Sequence, residues 1–221
     1  MSILSNLMDA VNNNLISGDA YYIIIKSVIV TFAITMIAWG VTFILGALIS
    51  YFMSYDQRII CAICSAISFL LRSTPVLLLL LLMYYVVFKN VNLNLTLLSG
   101  ITIGMYGAGN MSEILARQVK KASEEQDEVI IKRLRQVYFT VTLPQMLEDT
   151  LFMTKRLCIQ ILQWTTIVGY ITVNDLTEVM NRIGQRTMYP FFSIAVSIIC
   201  YLIATIIIES IFQFIEKKIR K

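Results

Sequence analysis

The chain has 221 residues, of which 57% are hydrophobic and only 14% charged, with a formal net charge of +4 and a mean hydropathy of +0.74. A soluble domain is nearer about 45–50% apolar and 25% charged, so this composition excludes an ordinary globular domain and specifies a polytopic membrane protein. The length suits one bundle of about four to six spans with no second folded domain, and the positive charge points to cytoplasmic loops that set orientation, not to nucleic acid.

Residues 1–20 form the first segment. Ile3, Leu4, Leu7, Met8, Val11, Leu15 and Ile16 fall on one helical side of it. Two readings stand together, a short helix on the membrane surface and a frayed tail. No cleavable signal peptide is expected, because the first long apolar run exceeds a signal's core and further spans follow.

The run from Tyr21 to Met53 is almost unbroken apolar, with Lys26 near its start. As a helix it reaches about 50 Å, beyond a hydrocarbon core of about 30 Å, so it tilts or protrudes. Asp56, Gln57 and Arg58 mark a turn. Ile59 to Phe88 is the next apolar block, cut by Arg72-Ser73-Thr74-Pro75. Proline ends the preceding helix and can open another, which leaves Ile59–Leu71 oblique or interfacial and Thr74–Phe88 as a short second span. Arg72 marks the cytoplasmic face, since an arginine in mid-bilayer is costly. Lys89 to Asn94 is an outer loop.

Leu95 to Leu115 is the third span and carries Gly100, Gly104, Gly107 and Gly109. Gly100-x-x-x-Gly104 has the form of a small-residue packing seam. A phosphate-cradling role for these glycines lacks support, because the chain has no Gly-x-x-x-x-Gly-Lys-Ser/Thr. The fourth span, roughly Leu157 to Tyr170, is dense in hydrogen-bonding groups: Gln160, Gln163, Trp164, Thr165 and Thr166. Such groups face a cavity or another helix, since lipid gives them no partner. Thr172 to Arg186 reads as a second outer loop. Tyr189 to Ile215 is the last span, and a basic tail closes residues 217–221.

Between the third and fourth spans lies the one long polar interruption, Glu113 to Gln145. Its charges alternate around apolar residues at helical intervals, as on a solvated helix with one apolar face. A Lys, Arg or Asp at the bilayer centre costs roughly 2.5–3.5 kcal/mol, so this stretch lies outside the membrane. Five spans, with Lys and Arg crowded at Arg117–Arg135 and at the C-terminus, predict an N-terminus outside and a C-terminus in the cytoplasm.

The chain contains no histidine, which removes the commonest general base and metal ligand. Cys61-x-x-Cys64 admits a redox or zinc reading. Two small residues one turn apart is the favoured reading, because no second ligand pair exists for zinc. No metal site and no catalytic residue are expected.

In this order the motifs resemble the permease subunits of polar amino-acid ABC importers, of the histidine, arginine and glutamine type. Arg72-Ser73-Thr74-Pro75 followed by the run to Tyr84-Tyr85 is similar to the family's Arg-Gly-Thr-Pro segment. Glu113-Ile114, Gln126-x-Glu128 and Leu143-Pro144-Gln145 are similar to its cytoplasmic coupling loop. Leu162-Gln163-Trp164-Thr165-Thr166 and Asp175-Leu176 resemble its Leu-Lys-Asp-Thr-Ser and Glu-Leu segments. Departures are Ser73 for glycine, Leu79 for glutamine, Val129 and Ile130 for two alanines, and Gln163-Trp164 for lysine and aspartate.

The resemblance covers roughly residues 20–215. It implies an all-α, five-span, MetI-like bundle of a type I importer over residues 21–216, with a coupling helix in a loop at about 116–145. Gln126, Glu128, Val129, Ile130 and Leu134 would couple to an ATPase, with Lys132 and Arg133 as rim charges. The structural alternative is a solvated loop with salt-bridged turns. Asn110, Gln160, Gln163, Trp164, Thr165 and Thr166 are candidates for the substrate pathway, with Tyr106 as a wall. Interhelical hydrogen bonding is the equal alternative for them.

Implied partners are a second permease subunit, homologous or identical, two ATP-binding subunits, and an extracytoplasmic amino-acid-binding protein, all at the bacterial inner membrane. ATP and magnesium would belong to the partner ATPase, and this chain would hold no cofactor. The rival reading is a stand-alone secondary transporter or channel. Against it, no internal repeat is visible and no Asp or Glu is placed deep in a span.

Overall fold

The computed structural model describes residues 20–54, 57–125 and 137–219, and it is all helical there. Residues 1–19 of the expected interfacial segment 1–20 and the coupling residues Gln126, Glu128, Val129, Ile130 and Leu134 lie outside the described residues, as do Lys132 and Arg133.

Helix α1 runs Ala20–Met53. Its buried residues include Ser27, Thr31, Thr35, Ala38, Thr42, Gly46 and Ser50, three or four apart on one stripe. Its exposed residues include Ile25, Ile29, Phe32, Met36 and Ile44. Small and hydroxyl-bearing side chains thus point inward and large apolar ones outward, the reverse of a soluble helix. Lipid solvates the large side chains, while small ones let backbones approach. Two of the buried hydroxyls are satisfied by the helix itself, Thr35 Oγ1 donating to the Thr31 carbonyl at 2.8 Å and Ser27 Oγ to that of Ile24 at 2.7 Å, while Thr42 Oγ1 reaches across to the Gly104 carbonyl at 3.2 Å.

Helix α2, Arg58–Ser73, stops where Thr74 turns extended (φ −77°, ψ 131°) ahead of Pro75, the conformation a following proline imposes. Helix α3, Val76–Leu82, continues into a wide π-turn at Met83–Val87. The two parts of the apolar block meet at 104°, so the expected break at Arg72–Pro75 is present.

Helix α4, Leu95–Glu125, is the central rod. It extends ten residues past the expected end at Leu115, into the charged stretch. Ser99, Thr102, Ile103, Ala108, Ser112 and Leu115 on it are fully buried. It packs chiefly on α1 through the predicted seam. A Cβ on Gly100 would stand 2.6 Å from Cγ2 of Ile37, and one on Gly104 2.5 Å from Cβ of Val41. Both are closer than carbon atoms can pack, so glycine is required by proximity.

A second π-turn, Tyr138–Thr142, leads to α5, Leu143–Asp149, which carries Pro144 in its first turn. Helix α6, Leu151–Trp164, tightens into a 3₁₀ segment over Thr165–Ile171. What was expected as a second outer loop is instead helix α7, Leu176–Thr187. Leu176, Val179, Met180 and Ile183 bury its apolar stripe, with Ala20 and parts of the last helix in the same cluster. Its first turn is capped by Asp175, whose carboxylate accepts from the Thr177 and Glu178 amides at 2.9 and 3.2 Å. Helix α8, Pro190–Ile219, completes the chain.

Among the described residues two helices, α1 and α8, are long and apolar enough by themselves to cross a membrane, and the bent pair α2–α3 adds a third if it is one span. Helix α4 has the length, but its glycines, serines and threonines lower its hydropathy. Being wrapped in protein, it has no need of apolar side chains toward lipid.

Candidate functional site

The sequence-predicted residues fall on α4 and α6, and the structure brings these two helices together at one ring pair. Tyr106 and Trp164 meet edge to face with centroids 4.5 Å apart. From that contact a polar stripe follows α4 through Asn110, Glu113 and Arg117, at helical intervals of three or four. Asn110 is half-buried, and its amide nitrogen donates to the Tyr106 carbonyl at 3.0 Å. Glu113 accepts from Arg117 at 3.0 Å and lies 3.6 Å from the Arg72 guanidinium. Arg72 also stands 5.5 Å above the Phe69 ring. The helix break at Ser73–Pro75 is therefore tied by charge to the end of the expected third span.

On α6 and the 3₁₀ segment that follows it, the exposed residues Arg156, Gln160, Gln163 and Thr166 make a second stripe. Thr166 Oγ1 donates to the Gln163 carbonyl at 2.8 Å, and both residues are exposed. Thr165 is placed differently from its neighbours. It is fully buried, donates to the Leu162 carbonyl at 2.7 Å and lies 3.3 Å from the Tyr201 hydroxyl.

Gln163 and Thr166 also line a groove of about 470 Å³ whose other wall comes from α7 and α8. Thr177, Asn181, Ser197, Tyr201 and Thr205 complete its polar lining. Sequence reasoning missed these five. A signal was present for three of them, because Ser197, Tyr201 and Thr205 recur every four residues within an apolar span. Thr177 and Asn181 were hidden by the reading of their segment as a loop.

Behind the groove wall a hydroxyl network locks four elements together. The Tyr201 hydroxyl lies 3.1 Å from Thr177 Oγ1, and Thr31 Oγ1 accepts from the Leu176 amide at 3.0 Å. Asp175 is completely buried beside it, whereas the sequence placed it in an outer loop. Burial pushes its carboxyl up to about 6, against the pull of the Thr177 and Glu178 hydrogen bonds and with the Glu178 charge raising it further.

The arrangement is a polar face, exposed along α6 and mostly half-buried along α4, beside apolar residues such as Phe152 and Met153 that are also exposed. Amides and guanidinium groups have no partner in hydrocarbon, so this face meets water or another protein. Among the described residues no group of three or more His, Cys, Asp or Glu could hold a metal ion.

No protein-family model matches the chain, and no curated protein matches it either. Solved structures do. A chain of an amino acid ABC transporter crystallised with histidines superposes with a TM-score of 0.75 at 18% identity, covering 99% of both chains. A chain of the MetNI methionine ABC transporter, in an inward-facing conformation, gives 0.73 at 17% identity, covering 92% of this chain and 99% of that one. The chain shares the fold of these ABC transporter chains. At these identities the likeness establishes the fold, and it does so over nearly the whole length. The helices that carry the polar face are part of the shared fold.

Proposed function

We propose that the chain is the membrane-spanning permease subunit of an ABC importer for polar amino acids. The observation that carries the reading is the exposed polar face of α6, flanked by the mostly half-buried stripe of α4, with the groove beside it. Such a face needs a second permease subunit, homologous or identical, to enclose it as a pathway.

In this reading residues 21–216 make five spans of the bacterial inner membrane with the N-terminus outside, and the 116–145 loop and basic tail are cytoplasmic. Two ATP-binding subunits hold ATP and magnesium and press on Gln126, Glu128, Val129, Ile130 and Leu134. An extracytoplasmic binding protein delivers substrate. The chain catalyses no covalent step; it converts closure of the ATPases into helix movement. Asn110, Gln160, Gln163 and Thr166 line the route, with Tyr106 and Trp164 as an aromatic wall. Thr165 acts from behind it by holding Tyr201.

Reconstituted with its partner subunits, the complex should hydrolyse ATP faster when substrate is supplied. Gln163→Ala with Thr166→Ala should lower that stimulation without reducing the amount of assembled complex, and Glu128→Arg should abolish co-purification of the ATPase. Substrate flux by this chain alone in liposomes, with no ATPase present, overturns the proposal.

A further inference from the structure

A second cleft, of about 480 Å³, opens at the end of the bundle where α1 begins, between α1, the start of α4 and α7. Its polar lining includes two cations, Lys26 and Arg182, and two amides, Asn94 and Asn174. The Arg182 guanidinium is held in place by Asn174 and, at 3.6 Å, by Glu178. Lys26 is exposed and has no ion-pair partner among the described residues.

We infer that this cleft binds the phosphate headgroup of an anionic phospholipid, between Lys26 and Arg182, with its acyl chains on α1. The shared chemistry is that of a phosphate anion, and two features select a lipid as its source. Lys26 lies six residues into an apolar helix, about 9 Å from its first residue, a depth at which lysine extends toward the headgroup layer. From Lys26 the exposed surface continues along α1 as Ile29, Phe32 and Met36, which are 61%, 60% and 47% exposed. A soluble anion or an acidic protein loop has no use for such a strip, whereas an acyl chain covers it. Tyr21 and Tyr22, both exposed, stand above it at the level where aromatic rings collect in membranes. Nothing in this inference depends on the transport reading; it requires only that the bundle sits in a bilayer.

Native mass spectrometry of the purified full-length protein in mild detergent tests it, with phosphatidylglycerol, phosphatidylcholine and water-soluble glycerophosphoglycerol as probes. The wild type should retain phosphatidylglycerol and release the other two. The Lys26→Gln/Arg182→Gln double variant should lose about thirtyfold in retention, near what two surface cations contribute, while Lys26→Arg keeps it. Equal retention by the double variant overturns the inference, as does equal retention of phosphatidylcholine. Retention of glycerophosphoglycerol assigns the cleft to a soluble anion and also overturns it. Should the double variant fail to fold, photoactivatable phosphatidylglycerol on the wild type decides. Adducts should map to α1 between Tyr22 and Met36, and adducts only elsewhere reject the site.

Discussion

Trp164 and Tyr106 stand at 81° with 4.5 Å between ring centroids, and this contact joins the polar stripe of α4 to that of α6. An edge-to-face pair contributes about 0.5–1.5 kcal/mol beyond the area it buries. Trp164→Leu and Tyr106→Leu should each lower the unfolding temperature in detergent. The double variant should lose about 1 kcal/mol less than the two effects added. Strict additivity would show that the rings do not support one another.

The α1–α4 seam makes a size-dependent prediction. Gly104→Ala places a methyl group 2.5 Å from Cβ of Val41 and 2.9 Å from the Ala38 carbonyl oxygen. The helices must separate, at a cost of about 1–3 kcal/mol typical of overpacking. Val41→Ala keeps that Cβ and removes only the Cγ1 contact at 2.8 Å, so it should restore little when combined with Gly104→Ala, whereas Val41→Gly removes both and should restore more. Gly40→Ala, where a Cβ would meet nothing within 4 Å, should be neutral or slightly stabilising. Thermal denaturation of these variants separates the cases.

Asp175 gives the chain a pH dependence of defined sign. Its carboxyl is raised to about 6 from the usual 3.8, so the folded state holds the proton more tightly than the unfolded one. Its stabilising contribution is complete below the unfolded value and is lost as pH rises through about 6, by up to about 3 kcal/mol. Asp175→Asn keeps an acceptor for the α7 cap and removes the charge. It should flatten the stability profile between about pH 4 and 6 and match or exceed the wild type at pH 7. Asp175→Ala loses the cap, about 1 kcal/mol, at every pH. A profile for Asp175→Asn parallel to the wild type would refute the assignment.

Met188 ends α7 in the left-handed region, with φ 61°, and is 83% exposed. The Tyr189 amide closes the turn on the Gly184 carbonyl at 3.1 Å. Glycine is the preferred residue at this position, and an L side chain there costs about 1–2 kcal/mol. Met188→Gly should therefore raise the unfolding temperature, offset in part by the greater freedom of glycine in the unfolded chain. A lower unfolding temperature would mean that the Met188 side chain contributes contacts outside this chain.

Part of what the sequence hid was nonetheless written in it. Asp175 followed three residues later by Glu178, ahead of Leu176, Val179, Met180 and Ile183, is a helix-start signature with an apolar stripe. The density of polar residues from Thr172 to Arg186 obscured it. The placement of Thr165 was not legible, because it and Thr166 have the same chemistry and adjacent positions. Only the rotation of the helix end puts one against Tyr201 and the other on the surface.

Residue chemistry alone determined that the chain belongs in a bilayer, where its apolar block breaks, and that Gly100 and Gly104 lie on a packing seam. Transfer energies, proline sterics and side-chain size act over a few residues and leave their mark in linear order. Which polar groups face outward, that α4 is sheathed by its neighbours, and that Asp175 is sealed inside were decided by tertiary packing. Those properties depend on which helices cover which faces. That choice is made among residues as far apart as Thr31 and Leu176, whose hydrogen bond joins positions 145 residues apart.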